Sequence, residues 1–117
     1  MTDTELTELY ALSQDAVECM NGGEYVSAYT ALSTITKKLI KHKNSDDLLW
    51  KLRVAELVAL GVTVPLQMFG VYGVNLVGCP PEILSLMKSE LTSLSLGIKS
   101  VIASSPGEFV CYKISNN

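Results

Sequence analysis

Residues 57–81 of this 117-residue chain carry no charge. Charged residues make up only 18% of the chain, whereas hydrophobic residues make up 48%. Soluble monomers usually carry more charge than this, so a long uncharged run must lie in a core, against a partner or in a bilayer. The composition therefore favours an oligomer or a subunit of a larger assembly.

Residues that carry chemistry are also scarce. The chain has one histidine, His42, which stands among lysines with no second metal-ligand candidate beside it. The three cysteines, Cys19, Cys79 and Cys111, contain no C-x-x-C pair, so the zinc-ribbon and thioredoxin signatures are missing. The glycine-rich segment 70–78 lacks the spacing of a phosphate-binding loop. We therefore expect a non-enzymatic protein with no catalytic residue, metal site or cofactor.

Positive charge is missing from residues 1–36, which hold six acidic residues and no lysine or arginine. The chain then turns basic with Lys37, Lys38, Lys41 and Lys43, and this cluster is a candidate patch for steering a charged partner. Aromatic residues do not interleave with these lysines, so we do not expect nucleic-acid binding. The acidic N-terminus lacks the basic region of a signal peptide, and an odd cysteine count suits a reducing compartment. Both features favour a cytoplasmic location.

The hydrophobic pattern predicts one all-α domain over residues 1–117, built as a compact bundle of four to five helices. The predicted helices span about 4–20, 24–42, 46–60 and 82–103, and a further short helix at about 65–77 competes with a strand there. The helix at 46–60 is apolar on most sides, which predicts a central position. Residues 108–114 predict an extended or β-like tail that pairs within or between chains.

Two seven-residue series run through the predicted helix at 82–103. They consist of Leu84, Leu91 and Ile98, and of Met87, Leu94 and Val101. This spacing is typical of an amphipathic helix packed on its own domain, and also of a helix that packs on a partner. We therefore take as candidate interaction residues both series and two aromatic residues of the tail: Leu84, Met87, Leu91, Leu94, Ile98, Val101, Phe109 and Tyr112.

Residues 23–28, Gly-Glu-Tyr-Val-Ser-Ala, followed by Leu32 and Ile35, resemble the loop and second helix of a tetratricopeptide hairpin. Leu12 and Ala16 stand where the first helix of that motif has a large and a small residue. The resemblance covers residues 10–40 and has no second copy about 34 residues later, where the family's period would place one. It implies one right-handed helical pair and a protein-binding role.

The sequence thus predicts a non-enzymatic protein–protein interaction or assembly subunit that binds a protein partner or itself, such as a cellular adaptor, an inhibitor or a small viral or phage component. One alternative is a small membrane protein with a span near 57–79, since this run is long enough to cross a bilayer. Another is a small-ligand carrier or enzyme that uses the glycine-rich segment 70–78 as a pocket wall.

Overall fold

A computed structural model describes residues 2–41 and 48–103 of the chain. Five helices make up most of this part of the molecule, and they are α1 (Asp3–Asn21), α2 (Tyr25–Lys41), α3 (Leu48–Gly61), α4 (Thr63–Tyr72) and α5 (Pro81–Ala103). The prediction of an all-α fold is confirmed for the described residues. The predicted tail at 108–114 lies outside them.

The start and end of α1 follow from local chemistry. At its N-terminus the Glu5 backbone N–H donates to Thr2 Oγ1 at 3.1 Å, and the Thr2 backbone N–H donates to Glu5 Oε1 at 3.0 Å. This reciprocal pair is a capping box. At the other end Gly23 adopts a φ of +77°, a value that glycine reaches without steric cost. The chain therefore turns sharply between α1 and α2.

The deepest part of the core lies where α1 packs against both α2 and α5. The largest fully buried side chains there come from all three helices and are Leu6, Leu9, Met20, Leu32, Ile35, Leu39, Met87, Leu91, Leu94 and Ile98. Ser13 is also fully buried, and its hydroxyl donates to the Tyr10 carbonyl at 2.6 Å, so the polar group is satisfied inside the helix.

The prediction that the third helix is central is wrong. The central helix is α5, which packs extensively against both α1 and α3 and also contacts α4, whereas the contacts of α3 with α2 and α4 are small. Helix α3 buries one side, through Trp50, Val54, Leu57 and Gly61, and leaves much of its remaining surface exposed. An apolar composition on all sides predicts burial only when neighbours surround a helix, and here α3 packs mainly against α5.

The α3–α5 contact is unusually close at Gly61. A Cβ atom at this position would lie 2.5 Å from the Glu90 carbonyl oxygen and would clash with the Leu94 Cβ. Farther along the contact, a Cβ atom on Gly97 would lie 3.0 Å from a Leu57 methyl group. The C-terminal end of α3 thus lies against the middle of α5, so that the two helices run antiparallel and one side of α3 faces outward.

The predicted helix at 65–77 corresponds to α4, which ends five residues earlier, at Tyr72. The next residue, Gly73, has a φ of +81°, and turns continue to Gly78. Leu76 has a φ of +52°, which is costly for a branched side chain, yet the side chain is buried. The burial of the Leu76 side chain offsets backbone strain of about 1–3 kcal/mol. In the same turn Val74 and Val77 are exposed.

Candidate interaction surface

The heptad face of α5 is buried inside the protein's own core. Met87, Leu91, Leu94, Ile98 and Val101 are all buried, and Leu84 is half-buried against them. In this conformation the face packs on α1, α3 and α4 and is not available to a partner. Phe109 and Tyr112, the other two predicted interaction residues, lie outside the described residues.

The lysines of the cluster at the end of α2 differ in their surroundings. Lys38 Nζ lies 3.9 Å from Glu8 Oε1 of α1, in an exposed ion pair whose contribution to stability is typically about 0–1 kcal/mol. Lys37 and Lys41 are exposed. Lys43 lies outside the described residues. Of the four lysines in the cluster, the structure therefore places Lys37 and Lys41 as exposed charges that could steer a charged partner.

Large apolar side chains remain exposed over much of the described surface. They are Val26, Ile40, Leu48, Leu49, Leu52, Leu60, Val71, Val74, Val77, Leu86 and Leu96. Four of them belong to the 14-residue helix α3, where Leu48 is 67% exposed and Leu52 is 60% exposed. Scattered single exposures are normal in soluble proteins, but a contiguous apolar patch marks a contact site. Helix α3 is therefore the candidate interaction surface.

One flank of α3 forms a wall of a groove of about 600 Å³. Its lining comes from α2, α3 and α4 and consists of Thr36, Ile40, Lys51, Val54, Ala55, Val58, Ala59, Val62, Thr63, Leu66 and Gln67. The Thr36 hydroxyl donates to the Leu32 carbonyl at 2.8 Å, and the Thr63 hydroxyl donates to the Val58 carbonyl at 3.2 Å. Both threonines are thus satisfied within the protein. The groove lining includes no residue of the glycine-rich segment 70–78.

The opposite flank of α3 carries a second feature, the α3 stripe, which consists of Leu49, Arg53, Glu56 and Leu60. The spacing of four, three and four residues places all four on one side of a helix. Leu49 and Leu60 are 46% and 36% exposed, Glu56 is exposed and Arg53 is half-buried. The stripe therefore has apolar ends and two opposite charges in the middle.

Arg53 is incompletely satisfied. Its guanidinium carbon lies 6.0 Å from the centroid of the Trp50 ring, a distance at the outer limit of a cation–π contact. Its Nε is buried and has no hydrogen-bond partner among the described residues. Neither Arg53 nor Glu56 forms an ion pair within the ranges 2–41 and 48–103. A buried donor without an acceptor is rare in folded proteins, so Arg53 stands out among the polar side chains of the described residues.

The described residues contain two thiols, each free and half-buried. Burial raises the pKa of the Cys79 thiol above its ordinary value. Burial also raises the pKa of the Cys19 thiol, with a further contribution from the nearby carboxylates of Glu24, Asp15 and Glu18. Both thiols are therefore protonated and weakly nucleophilic at neutral pH. Among the described residues, no three His, Cys, Asp or Glu side chains cluster as a metal site would require.

A membrane span is not formed by any one helix of the described ranges. Helices α3 and α4 reach the required length and hydropathy only when taken together, and they are bent by 45° at the break between them.

No family model, curated protein or solved structure matches this chain. The arrangement of its own residues is therefore the basis for a functional proposal. Sequence reasoning missed the α3 stripe, because the apolar pattern of residues 46–60 favoured burial on all sides. The sequence already contained a signal for this stripe, namely Arg53 and Glu56 placed between Leu49 and Leu60 at helical spacing.

Proposed function

We propose that this chain is a non-enzymatic protein–protein interaction or assembly subunit, and that it docks through the exposed surface of α3. The observation that carries the proposal is the exposure of Leu48, Leu49, Leu52 and Leu60 on one short helix. Water is an unfavourable environment for four exposed leucines on one helix, since fully burying a leucine contributes about 1.5–3 kcal/mol. Covering this surface would therefore provide several kcal/mol toward association.

This free energy contributes to a complex but does not hold one together by itself. Association itself costs about 4–15 kcal/mol in lost translational and rotational freedom, so the leucines would drive binding only with further contacts around them. The proposal is for a non-enzymatic role because the surface offers apolar contact, one arginine and one glutamate, and no nucleophile beside a base. The resemblance of residues 10–40 to a tetratricopeptide hairpin remains a prediction that points in the same direction.

The test compares an α3 variant with a matched control elsewhere on the surface. Leu52→Lys places a charge in the middle of the exposed α3 surface, and Val77→Lys places one in the turn after α4, where the side chain is 78% exposed. Molar mass in solution and the fluorescence of a hydrophobic dye are measured for both variants and the wild type. We expect the wild type to self-associate or bind the dye, Leu52→Lys to weaken that behaviour, and Val77→Lys to leave it unchanged.

Two results would argue against this function. One is a monomeric wild type that binds no dye at high concentration, and the other is a Leu52→Lys variant that behaves like the wild type. Flotation with phosphatidylcholine vesicles separates the membrane alternative, because a protein that uses its α3–α4 segment in lipid would rise with the vesicles. We expect this protein to stay in the dense fraction.

The groove beside α3 favours a second candidate function, the binding of a small apolar ligand. Its volume of about 600 Å³ is within the range of about 300–1,000 Å³ that is usual for ligand sites. Thermal unfolding in the presence of decanoate tests this function, with an Ala59→Trp variant to fill the groove. A midpoint raised by decanoate in the wild type but not in the variant is the result expected of a carrier, and no shift in either counts against it.

A further inference from the structure

The α3 stripe is self-complementary. Leu49 and Leu60 are equally distant in sequence from the midpoint between residues 54 and 55, and Arg53 and Glu56 share the same midpoint. When a second copy of the helix runs antiparallel about a two-fold axis through this point, each residue meets its counterpart of matching chemistry. Leu49 then faces the partner subunit's Leu60, and Arg53 faces the partner subunit's Glu56, and each contact occurs twice.

We infer that the partner of the α3 stripe is a second copy of this chain, packed antiparallel on α3 to form a two-fold dimer. This inference rests on the proposed function, because it names the partner for the same exposed helix. Charge complementarity carries it: one side of α3 presents a cation and an anion in the order that an antiparallel copy requires. A parallel copy in register would instead bring Arg53 beside the partner's Arg53.

The guanidinium chemistry of Arg53 suits the proposed contact, since the side chain is half-buried. Its Nε is enclosed by the protein and has no acceptor among the described residues, so a partner would contact the terminal guanidinium nitrogens instead. Arginine forms its strongest hydrogen bonds with a carboxylate, often through two N–H groups at once. In the dimer the partner's Glu56 supplies that carboxylate, whereas residues 2–41 and 48–103 of the same chain place no carboxylate within ion-pair distance of Arg53.

The size of the contact limits its strength. From Leu49 to Leu60 the stripe is about 16 Å long, at a rise of about 1.5 Å per residue. One helix pair of this length buries less than the roughly 1,600 Å² of a standard interface. Leu52 of α3 is also exposed and extends the apolar area of the helix. We therefore expect a dissociation constant in the micromolar range, about 1–100 µM.

Charge exchange at two positions tests the arrangement. In Arg53→Glu both positions of each stripe are acidic, and in Glu56→Arg both are basic, so each homodimer contains two like-charge contacts. An equimolar mixture of these two variants restores two opposite-charge contacts in the heterodimer. The double variant Arg53→Glu/Glu56→Arg restores them within one chain. Sedimentation equilibrium from about 5 to 500 µM, a range chosen to bracket the expected constant, gives the dissociation constant of each sample.

We expect each single variant to raise the dissociation constant about tenfold or more. The mixture and the double variant should return close to the wild-type value. Far-ultraviolet circular dichroism and urea unfolding check that all variants fold. The double variant keeps the test valid if a single one does not fold, because it has the same residue types as the wild type at exchanged positions.

Four results would overturn the inference. The first is a wild type that dimerises while both single variants dimerise equally well, which would place the contact elsewhere. The second is a mixture and a double variant that stay as weak as the single variants. The third is a wild type that stays monomeric at every concentration yet binds the hydrophobic dye; the proposed interaction role then stands and only the self-pairing fails. A monomer that binds no dye would remove both.

Discussion

Replacing Gly61 by alanine should force α3 away from α5. The added Cβ would lie 2.5 Å from the Glu90 carbonyl oxygen and 3.1 Å from the Leu94 Cα, and it would clash with the Leu94 Cβ. These neighbours are backbone atoms or atoms next to the backbone, so they cannot move by rotating a flexible side chain. The helices must therefore separate, and the buried side chains around the contact lose packing.

The magnitude can be worked from two opposing effects. Overpacking a close contact costs about 1–3 kcal/mol, and the rigidity of the neighbours places this case in the upper half of that range. Alanine gains up to about 1 kcal/mol over glycine in a helix interior, but less here because Gly61 is the last residue of α3. We expect a net loss of about 2 kcal/mol, which corresponds to about 8 °C in the unfolding midpoint for a domain of this size.

Two other glycines provide matched controls. At Gly70, in α4, an added Cβ meets no atom within 4 Å, so alanine should stabilise the fold by about 0.4–1 kcal/mol. At Gly97, in α5, it meets the flexible ends of Leu57 and Leu60 at 3.0 and 3.1 Å, so we expect a change within about 1 kcal/mol of zero.

Thermal and urea unfolding followed by circular dichroism rank the three variants. We expect Gly61→Ala to be the least stable, Gly97→Ala to be intermediate and Gly70→Ala to be the most stable. A Gly61→Ala protein as stable as the wild type would show that α3 does not approach α5 as described.

The remaining predictions concern the helix cap, the core and the thiols. Thr2→Ala removes the hydrogen bond from the Glu5 backbone N–H to Thr2 Oγ1 and should lower the free energy of unfolding in urea by about 1 kcal/mol. Thr2→Ser should lower it by less, and equal losses would show that the hydroxyl cap contributes nothing. Leu91→Lys places a charge in the core and should abolish the helical circular dichroism signal. The control Leu96→Lys, at a position 61% exposed, should change the free energy of unfolding by less than about 0.5 kcal/mol. A folded Leu91→Lys protein would contradict the burial of the heptad face. The raised pKa values of the Cys19 and Cys79 thiols favour the protonated form in the folded state, so their alkylation at pH 8, mapped by mass spectrometry, should be slower than in urea. The two protonated thiols contribute to the stability of the fold below the ordinary thiol pKa, and this contribution is lost as pH rises through the raised pKa. Faster alkylation in the folded protein than in urea would contradict the raised pKa values.

Local chemistry predicted much of the helical order. The Asn-Gly-Gly run at 21–23 marked the turn after α1, and the two prolines at 80–81 marked the start of α5, because these residues favour or forbid particular backbone angles. Such signals act within a few residues of the chain. They can therefore be identified without knowing which helices touch.

The packing of α3 could not be predicted in the same way. Its composition is apolar on most sides, and periodicity alone does not say which side meets a neighbour. A glycine at the end of a helix is usual for stopping it, but at Gly61 the small size is also needed because Glu90 and Leu94 lie against it. The exposed stripe likewise depends on α5 covering one side of α3 and leaving the other open, which is a property of tertiary contacts.

Leu76 illustrates a further limit of sequence reasoning. The segment after α4 contains Gly73 and Gly78, which accounts for its positive φ angles, but nothing in the sequence marks leucine as the residue with a φ of +52°. The buried position of its side chain selects that conformation. The strain is thus a consequence of packing and becomes visible only in the folded protein.

The most direct test of the account is the concentration dependence of backbone amide chemical shifts, measured by heteronuclear NMR on the wild-type protein. Because the exposed face of α3 is proposed as the contact surface, shifts should change between about 20 µM and 1 mM, a range that brackets a micromolar dissociation constant. The changes should cluster on residues 48–60, with little change in the turn at 73–78. Changes confined to that turn, or spectra that do not depend on concentration, would contradict self-association through α3.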